Sequence, residues 1–405
     1  MNKKILIIGL IAAICIAALV YVMMTYHGFY DVNACSDWPM FQHDPQHTGF
    51  SDCNAPDTNE TLWITQLPGT SSSPVVVDGV VFIGTNEGLY ALREIDGEIM
   101  WKNEKIEIVY STPLVLDDML FIGGDKYVYG VNKMDGEIIW EKELSKYVIK
   151  SSFGKDNNQL FIVGEASNII KNNSIILRFE KNVTIYALNS KNGEVIWKYT
   201  IKNDTIDFSS PVFYNEIIFI STNHKVCALN ASNGIVIWNQ TFSSKVISSQ
   251  IVHNNKLFVA DSETVYALSI SGGGILWRYP TKDEEKWIYS TPATANGILV
   301  IGSKGGFIHA LNESSGGLIW KVKTPITCIY KVKCSGLVSS PVIADGKVFI
   351  GGGDGVIYTF NLSNGNIIWE YKTSYDMIYS SPAISAGKMF IADEIGNVYA
   401  FGNKK

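Results

Sequence analysis

The sequence predicts an all-β fold, an eight-bladed β-propeller with four-stranded blades, preceded by one N-terminal transmembrane helix. Three observations predict it. A unit of roughly forty residues recurs eight times, and self-similarity at such a period marks repeat architectures. Each unit holds four short β-rich runs between turn residues, with no helical periodicity outside the N-terminal stretch. The eighth unit stops after its third strand, while an orphan strand, Thr61 to Ile64 with Trp63, stands ahead of the first. The chain divides accordingly into an anchor over 1–26, an extracytoplasmic lead-in over 27–59 and the propeller over 60–405.

The anchor is read from charge and length. Lys3 and Lys4 precede an uncharged, mainly apolar stretch of twenty residues, Ile5 to Met24. At about 1.5 Å of rise per residue this just spans a bilayer's hydrocarbon core. Positive charge on the N-terminal side keeps that end in the cytoplasm. The expected location is therefore the cell membrane, single-pass, with the propeller on the extracytoplasmic side. A cleaved signal is the alternative, although the apolar run exceeds a usual h-region and no A-x-A site follows. Val32 to Cys35 is a weak match to a lipoprotein cleavage box.

Composition and cysteines agree with that address. With 46% hydrophobic and 18% charged residues, the 405-residue chain can bury a large core, which excludes disorder for most of it. The net charge of −6, without a basic run beyond Lys3 and Lys4, argues against a nucleic-acid partner. Cys35 with Cys53 and Cys328 with Cys334 form close pairs lacking zinc-site spacing, and two short-loop disulfides suit an oxidising compartment. Eight N-x-S/T sequons, including Asn230, Asn312 and Asn361, point to a glycoprotein, although those three recur where Asn also serves a turn.

The propeller is read from its repeat. The unit begins Ser-Ser/Thr-Pro at Ser72, Ser111, Ser151, Ser209, Ser248, Ser290, Ser339 and Ser380, with Phe153 and Gln250 replacing two prolines. The second strand carries Phe at 82, 121, 161, 219, 258, 349 and 390, with Val300 in the remaining copy. The third strand carries Tyr in six copies, with Cys227 and His309 in the others. Radial repetition leaves only short, protected sheet edges. A β-solenoid is the alternative, but it gives no reason for the orphan strand. Pairing that strand with the last unit closes the ring and satisfies both open edges.

A pattern close to A-x-D/N-x-x-T-G-x-x-x-W recurs seven times in register, ending at Trp101, Trp140, Trp197, Trp238, Trp277, Trp320 and Trp369. On these residues the chain resembles the PQQ-like repeat propellers, which have the quinoprotein alcohol dehydrogenase fold, and their tryptophan-docking motif. The resemblance covers nearly all of 60–405. The lead-in DWPMFQHDPQHTGFSD, Asp37 to Asp52, also resembles a segment common before such propellers. It implies that these seven tryptophans and Trp63 dock successive blades. Each would bury about 150–250 Å² of aromatic surface as scaffold, not as a substrate platform. Only Trp38 and Trp287 then remain free to report on function.

Function has to be read from a site. Alternating strand directions put the connections between blades, and those between second and third strands, on one face. Both long insertions, Glu165 to Asn182 and Lys323 to Leu337, fall there. So does the residue before each triplet. Tyr110, Lys150, Phe208, Tyr289 and Tyr379 at those positions make the candidate binding face, completed by Ser71, Ile247 and Val338. Loop packing is the plainer alternative for this ring.

The resemblance implies two functional classes, and the tyrosines suggest a third. The nearest functional analogue is the propeller lipoprotein of the outer-membrane protein assembly machinery, a non-catalytic scaffold, which implies an envelope or membrane protein partner and no cofactor. Quinoprotein dehydrogenases of this fold hold PQQ and calcium at the channel centre, commonly under adjacent cysteines. This chain has no Cys-Cys dipeptide, and the six to eight oxygen ligands calcium wants cannot be assembled from recurring inner-strand acids. No catalytic, cofactor or metal residue is therefore assigned, and PQQ with calcium belongs to the enzymatic alternative. Envelope glycan binding is the third class. His43 and His47 share i,i+4 spacing beside Asp44, but Pro45 breaks the helix that would align them. His309 fills a tyrosine slot and reads as core.

Overall fold

A computed structural model describes residues 37–403 except 71, 145–148, 150, 157, 173–174, 207–208, 282–287, 325–336, 338 and 375–376, with the backbone alone over 165–180. These residues form eight sheets, each built on four antiparallel strands, and in seven of them those four strands are consecutive in the chain. In the first blade, Val75–Val77, Val80–Thr85, Gly88–Arg93 and Ile99–Asn103 run from the channel to the rim. Positive φ recurs in the described turns after the innermost strands, as at Asp78 and Gly79 in blade 1, residue types suited to it. Large β-branched and aromatic side chains on the two middle strands fill the space between blades, where the buried residues lie.

The last blade is assembled from both ends of the chain. Ala383–Ser385, Lys388–Ala392 and Asn397–Phe401 supply three strands, and Thr61–Gln66 supplies the outermost one. Ile64 pairs with Tyr399 and Gln66 with Asn397, so the closure expected from the orphan strand is present. The insertion in blade 3 lengthens its central hairpin, whose strands run Gln159–Asn172 and Ile175–Asn189. The core of the second insertion, 325–336, lies outside the described residues.

Blades are joined by tryptophan on glycine. The Trp101 indole lies against Gly136 of the next blade, where an added Cβ would meet the ring at 2.5 Å. Its Nε1 donates to the Lys133 carbonyl at 3.1 Å. The same bond recurs from Trp63 to Glu94 at 2.9 Å and from Trp320 to Leu362 at 2.8 Å. Most of these indoles also tilt against the second-strand Phe of their own blade, as Trp101 does on Phe82 at 5.9 Å. Blade 6 has Val300 in that slot, and Trp320 instead contacts Phe360 of blade 7 at 6.4 Å.

The eighth joint has no such turn to meet, because blade 8 draws its third and fourth strands from opposite chain ends. The lead-in fills the place. Trp369 Nε1 donates to the Pro56 carbonyl at 3.4 Å, and Lys347 Nζ pairs with Asp57 at 2.7 Å. That ion pair matches those of Lys133 with Asp78 and Lys388 with Glu94 at other joints.

Among the described residues no helix is long and apolar enough to cross a membrane. The expected anchor over 1–26 lies outside those residues, as do Cys35, Cys328, Cys334 and Trp287. Cys53 is buried.

Candidate functional site

Each innermost strand has only three residues and presents one unpaired edge to the channel. Buried backbone groups need partners. The lead-in provides them by circling the channel in the same direction as the blades. Trp38 exchanges two backbone bonds with Val76 of blade 1, at 2.7 and 2.9 Å. The Pro39 carbonyl then accepts from Val115, Pro45 from Phe213, Gln46 from Val252, Thr48 from Thr294 and Gly49 from Ile343, all at 2.8–3.0 Å. Six of the eight innermost strands are met in this way. Phe50–Ser51 finally runs parallel to Val342–Ala344, adding a fifth strand to blade 7.

So tight a coil requires left-handed backbone at Gln42, His43, His47 and Gly49. Glycine is favoured at position 49, where φ is +63 and a Cβ would meet the Ala293 Cβ at 2.8 Å. Asp44 organises the turn by accepting from the Gln46 and Thr48 amides at 2.9 and 3.1 Å and from the Thr48 hydroxyl. Burial opposes its ionisation, yet the hydrogen bonds from His43 and Thr48 prevail and hold its pKa below the usual carboxylate range. His47 is fully buried with its ring edge-on to Phe41, and neither ring nitrogen has a hydrogen-bond partner. Burial pushes its pKa down to about 4. His43 and His47 thus pack the coil. Trp38, expected to be free for function, is buried against blade 1 and is scaffold too.

The opposite end of the channel is bounded by the Ser-Ser/Thr-Pro triplets. The first serine ties its own blade together, as where Gly123 donates to Ser111 Oγ at 2.7 Å. The second position ties one blade to the next. Thr112 donates its amide to Ser152 Oγ, Ser152 to Ser210, Ser210 to Ser249, Thr291 to Ser340, Ser340 to Ser381 and Ser381 to Ser73, all at 2.9–3.1 Å. Where proline is lost, the substitute takes another structural role. Phe153 is buried beside Phe121 at 6.4 Å. Gln250 accepts from Ser209 and Ser221 and donates to the carbonyls of Ser210 and Phe219, so it pins blade 5 to blade 4.

Three buried carboxylates near this face are likewise committed. Asp261, Asp354 and Asp393 accept from the hydroxyls of Tyr266, Tyr358 and Tyr399 at 2.9, 2.7 and 2.8 Å, and from amides of their own loops. Burial, then the neighbouring carboxylates, push Tyr266 and Tyr399 up to about 12. Burial raises the Asp261 pKa.

Of the residues expected on the binding face, Tyr110 and Tyr289 are half-buried and Tyr379 is 37% exposed. Lys304 Nζ sits 5.8 Å from the Tyr289 ring centre, and the Tyr379 hydroxyl donates to Met377 Sδ at 3.1 Å. Ile247 is buried and adds nothing to the surface. Lys150 and Phe208, with Ser71 and Val338, lie outside the described residues.

The fold raises PQQ with calcium as a test of fit. Among the described residues no group of three or more His, Cys, Asp and Glu side chains is placed to hold a metal. The buried aspartates already bind tyrosine hydroxyls and loop amides. These residues offer no assembled calcium ligand set.

The sequence itself decides the family. The family model described as outer membrane protein assembly factor BamB matches residues 52–279 and 181–404, most of the chain. The chain belongs to that family. A comparison with curated proteins finds no match. Among solved structures, BamB from Moraxella catarrhalis is similar at a TM-score of 0.66 and 15% identity, over 85% of this chain and 99% of that one. Quinohemoprotein alcohol dehydrogenase from Comamonas testosteroni is similar at 0.71 and 12%, over 91% and 81%. The computationally designed Ika8 protein is similar at 0.69 and 12%, over 85% and 100%. At such identities these likenesses show the BamB-family fold and nothing finer.

Proposed function

We propose that this BamB-family propeller is a non-catalytic scaffold of the cell envelope. It is anchored by residues 1–26 in the cell membrane, lies on the extracytoplasmic side, and holds an envelope or membrane protein on the face of Tyr110, Lys150, Phe208, Tyr289 and Tyr379. One observation carries the reading. The chain's own lead-in lines the inner edge of six blades and the triplets bond to one another, so the polar groups around the channel serve the ring. The exposed loop face is left for recognition. Disulfides joining Cys35 to Cys53 and Cys328 to Cys334, with glycans on exposed sequons, complete the proposal.

Photocrosslinkers at Tyr110, Tyr289 and Tyr379 in native membranes test it. Discrete protein adducts from these positions, and none from a crosslinker at Asn296 of blade 6 on the other face, support the scaffold. Adducts only from Asn296, or only with glycan, overturn it.

The likeness to a quinohemoprotein alcohol dehydrogenase supports a second reading, a quinoprotein dehydrogenase. Its test is dye reduction with alcohols after adding PQQ and calcium. Turnover would replace the scaffold proposal.

A further inference from the structure

The repeat provides its own internal control. The turn between third and fourth strands has one shape in blades 1 to 7, with a positive-φ glycine closing each. Two residues before that glycine stand Lys191, Ser232, Ser271, Ser314 and Ser363 in blades 3 to 7. In blades 4, 6 and 7 the serine belongs to a sequon, and its amide bonds to the sequon Asn. Blades 1 and 2 instead carry Ile95 and Met134, each 71% exposed, higher than any other large hydrophobic among the described residues. The adjoining outer strands add Met100 and Ile139, at 50% and 54% exposure. Both are bulged out of the strand pairing just before the docking tryptophan.

Charge follows the same boundary. Fourteen of the 39 acidic side chains lie between Val75 and Glu143, against six of the 33 basic ones. That stretch is net −8 where the whole chain is −6, so the remainder is net +2. Asp135 and Glu137 are exposed in the same turn as Met134, and Glu141 is exposed two residues beyond Ile139 on the outer strand. No sequon falls within the two blades.

We propose that the outer rim of blades 1 and 2, on the strand-turn face, is a second docking surface whose occupant is a basic amphipathic helix of a partner protein. Its aliphatic stripe sets on Ile95, Met100, Met134 and Ile139, and its lysines and arginines face Asp135, Glu137 and Glu141. Charge selects this occupant. A second copy of the chain would bring two net −8 sectors together, and like-charge juxtaposition opposes association. An anionic lipid surface is repelled for the same reason. The surface lies on the other side of the ring from Tyr110 and Tyr289, so it stands apart from the loop-face reading.

The test uses the full chain in nanodiscs of uncharged lipid, with a fluorescein-labelled leucine–lysine amphipathic helix as probe, read by anisotropy against empty nanodiscs. Ile95→Ser with Met134→Ser, which installs the residue found in blades 4 to 7, should weaken binding at least tenfold. Glu137→Gln with Glu141→Gln should weaken it and flatten its salt dependence. Ser314→Ile with Ser363→Ile, in the sequon-bearing sector, should leave it unchanged. The proposal falls if the Ile95/Met134 pair binds like wild type, or if the helix loses affinity equally when Leu318 and Ile367 are made serine. Sedimentation velocity adds a separate check. A dimer that dissociates in the Ile95/Met134 variant would assign the patch to self-association and overturn the helix.

Discussion

Trp369 donates its indole N–H to the carbonyl of Pro56, a residue 313 positions earlier, at 3.4 Å. At every other joint the acceptor belongs to a turn of the following blade, and the distance is 2.7–3.1 Å. The indole hydrogen bond at the joint completed by the lead-in is therefore the longest of the eight. Trp140→Phe, which strands a buried carbonyl, should cost about 1–2 kcal/mol, and Trp369→Phe about half as much. Urea unfolding checks the order. Equal costs would mean that the indole N–H contributes nothing at either joint.

Three glycines separate steric from conformational demand. Gly136 has φ +76 and faces the Trp101 ring, Gly346 has φ +67 with open space around it, and Gly274 has neither constraint. Alanine at Gly136 should cost roughly 3 kcal/mol or more, at Gly346 about 1 kcal/mol, and at Gly274 close to nothing. Calorimetric melting of the three variants should reproduce that sequence.

His47 gives the ring an acid limit. Its folded-state pKa is about 4 against an ordinary 6.5, so protons bind the unfolded chain more readily. Its neutral form is fully accommodated above pH 6.5, and stability is lost as pH falls through the window down to about 4. The shift amounts to about 3 kcal/mol at the acid end. Asn tolerates the left-handed backbone at this position, so His47→Asn should lose the dependence. The stability difference between wild type and variant, measured from pH 7 to 4.5, should move toward the variant as pH falls.

Restoring the repeat's own residue should harm blade 5. Gln250→Pro fits the triplet pattern but removes four hydrogen bonds and leaves the Ser221 hydroxyl and two carbonyls short of partners. A loss of about 2–4 kcal/mol is expected from denaturant midpoints. Pro at the matching position of Ser209-Ser210-Pro211 shows that the backbone itself accepts the ring.

The sequence revealed whatever recurs. Eight copies of one unit expose the blade number, the Phe and Trp slots and the strand missing from blade 8. The lead-in has no second copy to compare with, and it is held by amides of strands far away in the chain, such as Ile343 to Gly49. Its side-chain pattern carries little of that backbone pairing, so Trp38 looked available for function. Ile247 failed for a related reason. Its position in the repeat placed it on the face, but only packing shows that it turns inward. The aliphatic tips at Ile95 and Met134 were visible by alignment, yet they acquire meaning only once exposure is known.

The pairing of Thr61–Gln66 with Asn397–Phe401 also sets a timetable. Thr61–Gln66 emerges during synthesis well before its partner, so the ring stays open until Asn397–Phe401 has been made. Contacts of such sequence separation form slowly, because loop closure must precede the contacts that reward it. During that interval blade 8 lacks its outer strand and two sheet edges stand uncovered. Aggregation and chaperone engagement should concentrate there, and a ribosome stalled before Asn397 would display an arc rather than a ring.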